Sequence, residues 1–85
     1  MNRLDFEGRH AVITGGAVGL GFAIAQRLVA SGGRVTLWDR DEAAGQSAAK
    51  DLGCAFVQVD VASEHSVRAA VQATLAREAK IDALV

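Results

Sequence analysis

Proline is absent from the 85 residues, and cysteine occurs once, as Cys54. A single thiol cannot form an internal disulfide, which fits a reducing compartment. With no proline and no low-complexity linker, nothing divides the chain, and at this length it forms one small domain at most. The two histidines, His10 and His65, lie far apart and no cysteine pair exists, so the chain has no metal-ligand spacing. Aromatic residues make up only 5% and no Lys/Arg-rich block is present. With a formal charge of −1 and a pI near 6.0, nothing draws the chain toward nucleic acid or an acidic membrane surface. No apolar run approaches membrane-spanning length, and the start, Met1 to Glu7, carries acids where a signal peptide needs an apolar core. A cytoplasmic location is therefore expected.

What the chain does have is apolar residues, at 51%, which argues against disorder, and nine glycines. The glycines concentrate in Thr14-Gly15-Gly16-Ala17-Val18-Gly19-Leu20-Gly21, between a short apolar run, His10 to Ile13, and an amphipathic run from Phe22 to Ala30. The local order is strand, glycine turn, helix. A helix N-terminus offers unpaired N–H groups and a partial positive charge, and glycines let the backbone approach a pyrophosphate closely.

The rest of the chain repeats the alternation. Leu20, Ala23, Ile24, Arg27 and Leu28 stand at helical spacing, and Ser31-Gly32-Gly33 stops that helix. Arg34 to Asp39 is a second strand, rich in β-formers. Asp41 is placed to cap a helix running to about Leu52, which Gly53 ends. Cys54 to Asp60 is a third strand. Ser63 is placed to cap a helix carrying Val67, Ala70, Val71, Thr74 and Leu75 inward, ending at Lys80-Ile81-Asp82, and Ala83-Leu84-Val85 begins a fourth strand. Leu4 and Phe6 are expected to pack on the domain edge. The β-α-β-α-β-α-β order predicts a doubly wound parallel sheet with right-handed crossovers. In a complete sheet of that kind the fourth strand lies beside the first and is central. The expectation is therefore that residues 1–85 are a portion of a longer single-domain protein, the alternative being completion by another chain.

Three places carry chemistry. The glycine spacing, Gly15-xxx-Gly19-x-Gly21, differs from the usual G-x-G-x-x-G. It also fails as a P-loop, because Phe22-Ala23 stands where Lys-Ser/Thr is required. A tight turn that binds nothing is the alternative. Asp39 ends the second strand eighteen residues past Gly21. There an acid hydrogen-bonds the adenosine ribose hydroxyls, or else simply forms a turn with Arg40 and Asp41. As a ribose ligand it selects against a 2′-phosphate, since like charges about 4 Å apart cost roughly 4 kcal/mol at an effective dielectric near 20. Arg40 pulls toward that phosphate and Val18 does not, and NAD is expected over NADP. Asp60-Val61 ends the third strand, where a carboxylate and an apolar neighbour suit an adenine; the alternative is an Asp that closes a strand. Trp38 is expected in packing and, beside Asp39, as a reporter. Cys54 reads as a small buried hydrophobe, Thr14 as a brace for the turn, and His10 and His65 as structural or solvent-facing.

Thr14 to Gly21, then Asp39, then Asp60-Val61, together with the opening Leu4-x-Phe6-x-Gly8-Arg9-x-Ala11-Val12-Ile13, resembles the N-terminal part of the short-chain dehydrogenase/reductases over essentially all 85 residues. The 3-oxoacyl-carrier-protein-reductase-like and the polyol or alcohol dehydrogenase branches look most similar. The resemblance implies a Rossmann-type doubly wound sheet that binds NAD(H) or NADP(H) and moves hydride between nicotinamide and a carbonyl or secondary alcohol. By position, Gly15, Ala17, Val18, Gly19, Leu20 and Gly21 would surround the pyrophosphate and adjacent ribose. Asp39 would hold the adenosine ribose, and Asp60 and Val61 the adenine. The family's catalytic set is Asn, Ser, Tyr and Lys, with Y-x-x-x-K. This sequence has no tyrosine, so no catalytic residue is assigned. Family members are usually homotetramers. The alternatives are a dinucleotide-binding module without catalysis and an inactive truncated product; a methyltransferase is disfavoured by Ile13-Thr14, where an acid would stand.

Overall fold

The computed structural model describes residues 8–78 and 80–85; the expected edge packing of Leu4 and Phe6 lies outside them. Strand β1 is His10–Thr14, helix α1 Gly19–Ala30, β2 Arg34–Asp39, α2 Glu42–Leu52, β3 Ala55–Gln58, α3 Glu64–Arg77 and β4 Ala83–Leu84. The strands form one parallel sheet in the order β3-β2-β1-β4. The fourth strand thus lies beside the first, as expected of a Rossmann-type doubly wound sheet.

Period-two alternation sorts the strand side chains onto two faces. Ala11, Ile13, Val35 and Leu37 pack against Ala25 and Leu28 of α1 and Ala48 and Ala49 of α2. Val12, Trp38 and Val59 pack against Ala70 of α3. Helices therefore cover both faces, and the architecture is the β-α-β-α-β-α-β portion of a Rossmann-type doubly wound sheet. Small residues carry most of the helix side of both layers, so the helices lie close to the strands.

Local chemistry sets the ends. The Asp41 carboxylate accepts from Ala44 N and the Ser63 hydroxyl from Ser66 N, so both expected caps form. Gly53, left-handed at φ 69°, ends α2, and the Cys54 N–H returns to Ala49 O. Cys54 therefore belongs to the helix cap, and β3 begins one residue later than expected. The thiol is only half-buried, and desolvation raises its pKa. At the other end, Asp60 N donates to Ser66 Oγ (2.9 Å) and Ser63 N to Asp60 O (2.9 Å), which turns the chain into α3 and ends β3 at Gln58. Helix α3 stops at Arg77, short of the expected Lys80, because Glu78 is extended and tied to Arg34 by two 2.7 Å bonds.

The α3 face also holds a polar seam. His10 is buried: its Nδ1 lies 2.9 Å from Lys80 O and its Nε2 2.8 Å from Thr36 Oγ1. A carbonyl only accepts, so Nδ1 carries the proton. The His10 N–H donates to Asp82 Oδ2 (2.8 Å) and its carbonyl accepts from Asp82 N (2.8 Å), which pins the approach to β4. His10 is thus structural. Among the described residues, no buried side-chain nitrogen or oxygen lacks a partner.

Candidate dinucleotide site

The C-terminal ends of parallel strands, next to the start of a helix, are where a doubly wound sheet leaves a crevice. Here the register pairs Thr14 with Trp38 and Asp39 with Gln58. The turn after β1, the end of β2 and the segment after β3 are consequently neighbours, and these are the three places singled out in the sequence.

The glycine turn is shaped for close approach. Gly15 has a φ of +66°, which a residue with a Cβ rarely adopts. A Cβ at Gly21 would collide with the Gly15 carbonyl oxygen and lie 3.2 Å from Gly16 Cα, so Gly21 lets α1 begin against the turn itself. Val18 is extended and gives α1 no side-chain cap, and the first turn contains no acid. By contrast, α2 and α3 each have both a capping side chain and a Glu in the first turn. The first bond into α1 runs from Phe22 N to Val18 O (3.4 Å), and with no side-chain cap the first-turn amides before it are left for solvent or an anion.

Asp39 stands against this turn. Its Oδ2 accepts from Ala17 N at 3.1 Å and its Oδ1 from Asp41 N at 3.0 Å. Asp60 lies two residues beyond β3, and its Oδ1 accepts from Ala62 N at 3.0 Å, which is the strand-closing role. It also lines a groove of about 340 Å³ with Arg40, Gln58, Val59 and Ser66. A second groove, about 380 Å³, runs between α1 and α2 and is lined by Ala17, Val18, Gly19, Phe22, Ala44, Ser47, Ala48 and Asp51. Val18, Leu20 and Val61 are 66%, 78% and 60% exposed, an apolar fringe around the crevice.

One expectation needs correction. Thr14 does not brace the glycine turn: its hydroxyl donates to Val85 O (2.7 Å), as does its N–H (2.8 Å), and it ties β1 to the end of β4. Trp38 is in packing, as expected: it is buried in the α3 layer, on the face opposite Asp39, and its indole N–H donates to Thr74 Oγ1 (3.1 Å). Sequence reasoning also missed Ser66 and Gln58. Ser66 holds the Asp60 amide, and Gln58 donates from Nε2 to Arg40 O (3.1 Å). Ser66, three residues after the Ser63 cap, carried a signal; Gln58 carried none, because its role depends on the β2–β3 register. Among the described residues, no cluster of metal-ligating side chains occurs.

The site has recognisable relatives. The family model for short chain dehydrogenase matches residues 9–85. The chain is 51% identical over 74 residues to 3-hydroxyacyl-CoA dehydrogenase type-2 of Bos taurus, covering 85% of this chain and 28% of that protein. It is 41% identical over 81 residues to 3-oxoacyl-[acyl-carrier-protein] reductase FabG of Chlamydia muridarum, covering 88% of this chain and 33% of that one. The crystal structure of 3-ketoacyl-(acyl-carrier-protein) reductase from Brucella melitensis complexed with NADH superposes with a TM-score of 0.89 at 36% identity, over 92% of this chain and 33% of that chain. The chain spans about a third of the length of these relatives. The parallel sheet, the turn after β1 and a family match from Arg9 to the last residue agree: the chain belongs to the short chain dehydrogenase family, oxidoreductases that bind nicotinamide cofactors.

Proposed function

We propose that residues 1–85 form the dinucleotide-binding portion of a longer NAD-dependent oxidoreductase. It moves hydride between nicotinamide and a carbonyl or secondary alcohol, and works as a homotetramer in the cytoplasm. The observation that carries the reading is the Asp39 carboxylate held 3.1 Å from the glycine-turn amide of Ala17. A carboxylate able to accept from ribose hydroxyls, beside backbone suited to a pyrophosphate, supports the reading. The residues fit the group: Gly15, Ala17, Val18, Gly19, Leu20 and Gly21 surround the pyrophosphate and adjacent ribose, Asp39 holds the adenosine ribose, and Asp60 and Val61 hold the adenine. The lack of a side-chain cap on α1 leaves room for an anion where the other helices have closed theirs. The bound nicotinamide supplies the hydride acceptor or donor.

Asp39 also carries the preference for NAD. A carboxylate beside a 2′-phosphate is repelled, and solvent reduces the roughly 4 kcal/mol of the bare estimate to a preference of about one to two orders of magnitude. Asp39→Ala is expected to lose most of that preference. Dissociation constants for NADH and NADPH, measured for the protein and the variant, test it. Equal affinity of the unaltered protein for the two would refute the NAD assignment, and binding of neither would refute the site.

A further inference from the structure

We propose that Asp39 is a positioning residue for the glycine turn, so that the adenosine end and the phosphate end of the site are coupled through one carboxylate; this rests on reading the crevice as a dinucleotide site. The last sheet bond at the turn runs from Gly15 N to Trp38 O at 2.8 Å. Beyond it, the turn is fastened to β2 by Ala17 N donating to Asp39 Oδ2. The other oxygen of the same carboxylate, Oδ1, accepts from Asp41 N, which belongs to the cap of α2. Two backbone donors on different segments therefore fix its plane. Ala17 is buried, Val18 after it is extended, and α1 starts at the next residue with no cap of its own. Whatever fixes the Ala17 amide thus fixes where the first-turn amides of α1 point. Each carboxylate oxygen accepts more than one hydrogen bond, so ribose hydroxyls can join without displacing either backbone donor.

The consequence is that Asp39 affects ligands that never touch it. Reduced nicotinamide mononucleotide has a phosphate and a nicotinamide but no adenosine ribose. The comparison is between Asp39→Ala and Asp39→Asn, which carry the same charge but differ in keeping an acceptor oxygen. Two quantities are measured: amide hydrogen exchange at Ala17 in the ligand-free protein, and the dissociation constants of the mononucleotide and of NADH. Loss of one hydrogen bond predicts exchange at Ala17 about 3- to 10-fold faster in Asp39→Ala than in the unaltered protein, with Asp39→Asn between them. The mononucleotide should bind more weakly to Asp39→Ala than to Asp39→Asn. Equal exchange in all three proteins overturns the positioning role, as does equal mononucleotide affinity in the two variants. If NADH binding alone falls, Asp39 is a ribose ligand only and the dinucleotide reading stands. If the unaltered protein binds neither ligand, the dinucleotide reading and the coupling both fail, and the exchange at Ala17 then decides whether Asp39 shapes the turn.

Discussion

Gly45 shows how closely α2 lies on the sheet: a Cβ there would run into the Phe56 ring. Gly45→Ala is expected to destabilise by about 1–3 kcal/mol through overpacking, against roughly 1 kcal/mol of helix propensity in its favour. Leu37, fully buried under α1 and α2, should cost about 2–5 kcal/mol when cut to alanine. Urea denaturation of both variants checks these, and a stabilised Gly45→Ala would mean that the ring moves aside. Residue roles were legible in the sequence where the chemistry is local. Asp41 and Ser63 read as caps because a cap needs only its own oxygen and an N–H three residues on. Thr14 was not legible, since its partner, Val85, is 71 residues away; Trp38 was legible as packing, but not its partner Thr74, 36 residues away.

Among the elements, α1 and α3 each depart from the expected inward face: Leu75 of α3, expected inward, is 43% exposed. Helix α1 is apolar on nearly every side, so the helical spacing picked out Leu20 and Ala23, which are exposed, along with Leu28, and passed over Ala25, which packing buries beside Leu28. Its uncapped start gives a prediction. Val18→Asp supplies the missing acceptor and an acid at the helix start, and should stabilise the ligand-free protein by about 1 kcal/mol. The same charge should repel the pyrophosphate and weaken NADH binding. Thermal melts with and without NADH separate the two effects. The approach to β4 has its own pH dependence. The His10 N–H, aided by Lys80, holds the Asp82 carboxyl below the usual carboxylate range, and the Arg34 guanidinium does the same for Glu78. In each case the folded state binds protons less readily than the unfolded one. The stabilisation is therefore whole above the ordinary carboxylate range and is lost as pH falls through the depressed folded values. Denaturation midpoints should hold down to about pH 5 and fall below it, and the fall should be shallower in Asp82→Asn and Glu78→Gln.

For the molecule as a whole, the strand order was legible because alternation of strand and helix admits few parallel topologies. One property of the whole is the edge at β4. Leu84 and Val85 are 65% and 50% exposed, and among the described residues no strand pairs with the outer side of β4. Taken alone, the 85-residue chain should self-associate through this edge. Sedimentation velocity should show mass rising with concentration, and Leu84→Lys should shift it toward monomer. The sheet also divides the molecule optically. Trp38, the sole tryptophan, lies in the α3 layer, while the glycine turn leads into α1 on the other side. Indole emits where reduced nicotinamide absorbs, so excitation energy can pass between them through space, without contact. One fluorophore should then give two separable signals: the colour of its emission should follow whether α3 is seated, and its intensity on adding NADH should follow occupancy of the proposed site across the sheet.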